Sequence, residues 1–155
     1  MYKNTLFIGL LAWLSWSFTD WQPDFTTARQ AARQKHRLIL LNFSGSDWCG
    51  PCMRMHKELF ADSGFIHMAD TTLVLFNADF PRNKKNQLLP ARQQENEQLA
   101  DRYNARGSFP FTVLLDADGK VLKTWDGLPR TTAAAFSEEI KNISNAWKQQ
   151  HPAGI

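Results

Sequence analysis

Cysteine is almost missing from this chain of 155 residues: there are two, Cys49 and Cys52, in a single motif. That scarcity excludes a disulfide framework. A structural staple joins distant parts of a chain, whereas a loop this small restrains the unfolded state little. A structural zinc site is excluded too, because it needs a second ligand pair. Covalent c-type haem attachment needs His directly after the second Cys, and Met53 stands there. Dense positive charge is also missing. The formal net charge is +3 and the one cluster is Arg82, Lys84 and Lys85, too thin for a nucleic-acid footprint. Nor is there the run of about 20 apolar residues that suits a membrane span. No internal repeat occurs, and the length fits one domain.

What is present starts at the N-terminus. Lys3 precedes an apolar run from Leu6 to Phe18, after which the chain turns polar. One positive charge, roughly a dozen apolar residues and then polar sequence is the layout of a secretory signal. Ser15 and Ser17 place small residues where cleavage after Ser17 requires them. Residues 1–17 are therefore expected to be a signal peptide, with an uncleaved membrane anchor as the alternative. No Cys lies near the leader's end, which excludes a lipid anchor on cysteine. On either reading residues 18–155 are exported.

Beyond the leader, the pattern alternates between helix and strand. Residues 19–37 read as a helix that Asp24 can cap, with Phe25, Ala28, Ala31 and Ala32 at helical spacing. Leu38 to Phe43 is a short continuous apolar run, which suits a strand buried on both faces. After the loop Ser44 to Asp47, a helix is expected from Cys49 to Phe60, and a short one, capped by Asp62 or Ser63, through Met68. Leu73 to Ala78 reads as a second buried strand. Residues 80–98 are polar, with helical patterning resuming by Gln94. Phe111 to Leu115 and Val121 to Trp125 read as strands joined by the turn Ala117-Asp118-Gly119-Lys120. Thr131 or Thr132 opens a last helix with Phe136, Ile140, Ile143 and Trp147 on its apolar face. The fold class is α/β: a central mixed, mostly parallel sheet flanked by helices, with an N-terminal helix extension and a polar insert before the third helix.

Cys49 falls at a strand-to-helix junction. Free backbone N–H groups and the helix dipole favour an anion there. A thiolate is an anion, so the Cys49 thiol should ionise below its free value of about 8.5. Cys49 is the expected nucleophile, and Cys52, inside the helix and more buried, is placed to resolve a mixed disulfide. Gly50 lets a partner backbone approach. Pro51 is tolerated near a helix start, where its missing N–H would lack a partner. A second reading uses the same helix: Cys52, Met55 and His56 share a face, and soft ligands suit Cu(I). The simpler view places Met55 in the core and His56 in solvent.

Trp48-Cys49-Gly50-Pro51-Cys52 resembles the active-site signature of the thioredoxin superfamily. Asn42-Phe43, Asn77-Ala78-Asp79, the run Tyr103, Arg106, Gly107, Pro110 and Thr112, and the Asp118-Gly119-Lys120 hairpin resemble its other landmarks, in order. Gly-Ser-Asp-Trp-Cys and Ala-Asp-Phe-Pro-Arg resemble an exported bacterial subgroup. The resemblance implies a thioredoxin fold over 18–155 and no tightly bound cofactor. It makes Pro110 a cis-proline facing the cysteines, Phe109 a backbone partner for bound substrate, and Trp48 part of the groove. It implies a monomeric disulfide reductase in the periplasm, acting on disulfide-containing envelope proteins and fed by a membrane-embedded thiol donor. Gly-Pro between the cysteines resembles the reducing members, whereas oxidising and isomerising members more often carry His there.

Two positions depart from the family. Asn42 replaces a buried Asp that helps deprotonate the resolving thiol, and an amide takes up no proton. Leu75 stands where that Asp's Lys partner is expected. The Cys52 proton must then leave through water or another group, with Asp47 as a candidate.

Overall fold

The computed structural model describes residues 21–152. Its elements are α1 (Phe25–Lys35), β1 (Leu38–Ser44), α2 (Gly50–Met55), α3 (Ser63–Thr72), β2 (Leu73–Asp79), α4 (Pro90–Tyr103), β3 (Phe111–Leu115), β4 (Val121–Asp126) and α5 (Ala133–Gln150). The expected signal or anchor at 1–17 lies outside the described residues.

The first helix is shorter than its pattern suggested. Asp24 caps it, accepting the Thr27 N–H at 2.7 Å, and Trp21, Gln22 and Pro23 ahead of that cap are not helical. Instead Trp21 bridges Leu75 in parallel fashion, and the Gln22 N–H donates to the Leu75 carbonyl at 2.8 Å. This extends the edge of the sheet beyond β2.

The sheet runs β2-β1-β3-β4. Here the strand directions correct the expectation of a mostly parallel sheet: β1 pairs with β2 in parallel, whereas β1–β3 and β3–β4 are antiparallel. Alternating helices and strands suggested parallel crossovers, but the α4 connection returns β3 against the direction of β1. A hydrophobic pattern carries no sign of direction, so sequence alone left this open.

All seven residues of β1 are buried. Because successive strand residues point to opposite faces, Leu38 and Leu40 join one core with Met55, Phe65, Phe136 and Ile140. Ile39, Leu41 and Phe43 join a second core with Ala28, Phe76 and Val113. The same period puts Asn42 on the Leu38–Leu40 face, toward α2.

The helix expected from Cys49 to Phe60 is α-helical to Met55 and then forms a π turn over His56–Phe60. Such turns carry no sequence signature, and they recur at functional sites. The polar insert is compact: a 3-10 turn at Lys84–Asn86 precedes α4, which starts at Pro90, earlier than the apolar spacing indicated. Pro at a first helical position loses no hydrogen bond. The β3–β4 turn is tied by Asp116, whose carboxylate accepts the Asp118 and Lys120 N–H groups at 2.9 Å each.

Candidate active site

Cys49 and Cys52 form a disulfide, with an S–S distance of 2.06 Å and Cα atoms 5.2 Å apart. The turn after β1 delivers Cys49: its N–H donates to the Gly45 carbonyl at 2.9 Å, and Cys49 then becomes the N-cap of α2. Its Sγ accepts the Cys52 backbone N–H at 3.2 Å. That donor is one of the unpaired groups at a helix start, and it favours negative charge on the same sulfur in the reduced protein. The expected difference in burial is absent: Cys49 is 4% exposed and Cys52 6%.

Trp48 is fixed on all sides. Its indole Nε1 donates to the Phe80 carbonyl at 2.7 Å, and its ring meets Phe109 edge-on at 5.4 Å. The Arg82 guanidinium lies 3.7 Å from the ring centroid. Gly45 is obligatory beneath it, because a Cβ there would overlap the indole. Phe109 also packs edge-on against Phe80 at 5.5 Å. The Phe109–Pro110 peptide bond is cis. Pro51, Phe109 and Pro110 line one hollow together with Gly127, Leu128 and Arg130, while Gly50 is exposed at the start of α2. The structure thus brings Trp48, Gly50, Pro51, Phe109 and Pro110 around the cysteine pair.

On the Cys52 side the surroundings change character. Asn42, 5% exposed, donates from Nδ2 to Asn77 Oδ1 at 2.9 Å and accepts from Thr112 Oγ1 at 3.0 Å. Ser44 Oγ donates to Asn77 Oδ1 at 3.1 Å. Cys52, Asn42, Ser44 and Asn77 line a pocket of about 360 Å³ together with Ser46, Met53 and His56. The sequence named Asn77 and Thr112 only as landmarks of the resemblance and His56 only as a copper ligand, and gave none of them a place beside Cys52. Asn77 could have been given one: β1 and β2 pair from Leu38 with Leu73, so Asn42 and Asn77 share an offset. Leu75, the position flagged for a missing Lys, is instead part of the core.

Asp47, the candidate for proton transfer, is engaged by the polar insert. Its carboxylate accepts the Arg82 N–H at 2.9 Å, the Asn83 N–H at 2.9 Å and Asn86 Nδ2 at 3.0 Å, which clamps the polar insert. The Arg82 N–H is the main cause that holds this carboxyl below its usual range. Met55 is 1% exposed, with its sulfur 3.9 Å from Thr112 Oγ1 inside the core, whereas His56 lines the Cys52 pocket.

Comparison with known proteins places this geometry. The family model described as a thioredoxin-like domain matches residues 25–144. The disulfide bond reductase DsbH of Chlamydia pneumoniae is 34% identical over 123 residues, 79% of this chain and 71% of that protein. The thioredoxin-related protein DsbJ of the same organism is 32% identical over 123 residues, and the match spans 34% of its length. Among solved structures, a DsbH oxidoreductase superposes with a TM-score of 0.75 at 27% identity, covering 92% of this chain and 95% of that one.

Proposed function

This chain belongs to the thioredoxin-like domain family and is a thiol–disulfide oxidoreductase; from that premise we propose that it works as a reductase of disulfides in proteins of the bacterial envelope. The observation that carries the reading is the Cys49–Cys52 pair at the start of α2, with Cys49 Sγ accepting the Cys52 N–H and Trp48 and Phe109 beside it. In the reduced protein Cys49 attacks one sulfur of a partner's disulfide. A Cys49–partner bond forms, the partner's S–S bond breaks, and its other sulfur leaves as a thiolate that takes a proton. Cys52 then attacks Cys49 Sγ, the mixed disulfide breaks, and the second partner sulfur departs. Two electrons have passed to the partner, and the chain is left with the disulfide seen here.

Cys49 is the nucleophile because the helix start stabilises its thiolate. Trp48, Pro51, Phe109 and Pro110 supply an apolar bed for the partner chain, and Gly50 presents no side chain to obstruct it. Gly-Pro between the cysteines supports the reducing direction, as does the similarity to a protein named a disulfide bond reductase. The leader at 1–17 supports export to the periplasm, either free or anchored at the inner membrane. No helix among the described residues is long and apolar enough to cross a membrane. A membrane-embedded thiol donor re-reduces the pair, and the protein acts as a monomer without a resident cofactor.

Replacing Cys52 with Ser should trap partners on Cys49 as mixed disulfides in envelope extracts, and replacing Cys49 with Ser should trap none. Absence of any Cys49 adduct counts against a protein substrate. Direction is read from the reduction potential of the pair in thiol buffers. A value near about −270 mV fits a reductase, and one near about −120 mV makes the protein an oxidant instead.

A further inference from the structure

Resolution of a mixed disulfide needs the Cys52 proton to leave before the sulfur can attack. The amides that line a pocket with that sulfur, and the carboxylate of Asp47, are poor acceptors. Asn42 is an amide with both ends engaged, by Asn77 at 2.9 Å and Thr112 at 3.0 Å. Asn77 Oδ1 is already the acceptor for Asn42 and Ser44. Asp47 is held by the polar insert.

The pocket of about 360 Å³ beside Cys52 offers another exit. Its walls are amides, hydroxyls and Met53, polar and roomy enough for water. Apart from Cys52, the one ionisable side chain among the described residues lining it is His56. His56 stands four residues after Cys52, where a helix brings two side chains onto one face. It opens the π turn and is exposed to solvent. Imidazole is the side chain built to gain and lose a proton near neutral pH.

Charged groups around it are few. Arg54 and Glu58, on the same helical stretch, line the opposite hollow with Pro51 and Phe109. Lys57 is exposed. From β1 and β2 the facing side chains are the uncharged Asn42, Ser44 and Asn77. One carboxylate is tied to this wall: Asp79, which accepts from Ser44 Oγ at 3.3 Å and from the Ser46 N–H at 2.8 Å.

We propose that His56 is the proton acceptor for Cys52, receiving its proton through water in this pocket and standing in for the acid that Asn42 lacks. The Cys52 S–H loses its proton to the imidazole. The thiolate forms the Cys49–Cys52 bond, the Cys49–partner bond breaks, and the proton returns to solvent or to the departing sulfur. The inference rests on the oxidoreductase reading above.

The test is single-turnover reaction of the reduced full chain with oxidised glutathione, acid-quenched and followed by mass spectrometry of the Cys49–glutathione adduct across pH. His56→Gln should leave adduct formation unchanged and slow adduct decay about tenfold or more near pH 7. The gap should close at alkaline pH, where the thiol ionises unaided. Adding Asn42→Asp to His56→Gln should restore decay. Decay at the unaltered rate at every pH overturns the proposal, as does equal slowing of both steps or a slowing that Asn42→Asp does not restore. A slowing produced by Asp79→Asn and not by His56→Gln overturns it in favour of a route through Ser44. If the unaltered protein forms no adduct at all, the oxidoreductase reading itself fails.

Discussion

Around Cys49 the walls are rings: Trp48, Phe109, Pro51 and Pro110. Beside Cys52 the pocket is lined by amides and hydroxyls, Asn42, Asn77, Ser44 and Ser46, with Met53 and His56. The two sulfurs share one bond and nearly equal exposure, 4% and 6%, so burial does not distinguish their tasks. Chemistry of the surroundings does. Rings offer a partner polypeptide apolar area and a shaped bed. Hydrogen-bonded amides are rigid, and they carry no charge and no exchangeable acid. On the proposed mechanism, recognition and proton handling are thereby separated onto two sides of one helix start.

The largest effect should come from breaking the aromatic side. Gly45→Val drives a side chain into the indole, so Trp48 must leave both the Phe80 carbonyl and the Arg82 stack. Overpacking of this kind costs about 1–3 kcal/mol, visible as a lower urea midpoint. Adduct formation at Cys49 should slow about tenfold, the rate equivalent of about 1.4 kcal/mol. Equal slowing of adduct decay would show that the two sides are not separable.

A smaller effect is expected on the amide side. Asn42→Asp removes the Nδ2 donor and sets a carboxylate oxygen against Asn77 Oδ1. A buried acceptor without a donor costs about 1–3 kcal/mol, though rotation of the Asn77 amide recovers part of it. Burial favours the neutral acid, so the folded form holds the proton more tightly than the unfolded chain. The loss of stability should therefore grow as pH rises from acid to neutral. Resolution by Cys52 should meanwhile become faster. A variant that is neither less stable nor faster would mean that this wall is not where the proton problem lies.

The smallest effect belongs to Asp47, which serves the aromatic side indirectly through the insert that carries Arg82. Its carboxyl is held below the usual range, chiefly by the Arg82 N–H. The unfolded chain then takes up this proton first. The stabilisation is present above the unfolded value of about 4 and is lost as pH falls through the folded one. Asp47→Asn should flatten the acid limb of a Tm-against-pH curve slightly and leave Cys52 resolution unchanged. A slowed resolution step would return Asp47 to proton transfer.

Local sequence determined a great deal of this protein. The apolar runs at Leu38 and Leu73 and the turn at Asp118-Gly119 announce strands because their burial and backbone demands are met within a few residues. Asp24, Asp62 and Thr132 cap the helices they precede. The Cys49 and Cys52 spacing states the chemistry, since three residues fix where both sulfurs stand on a helix start. Tertiary structure decided the rest. Strand direction depended on how α4 returns the chain, which no hydrophobic pattern records. The partners of Asn42 come from β2 and β3, 35 and 70 residues away, and a long-range pairing is visible only once register is set. Met55 and His56 are neighbours in sequence, yet one lies in the core and the other lines the Cys52 pocket, because packing against the sheet chooses which face of a helix is buried.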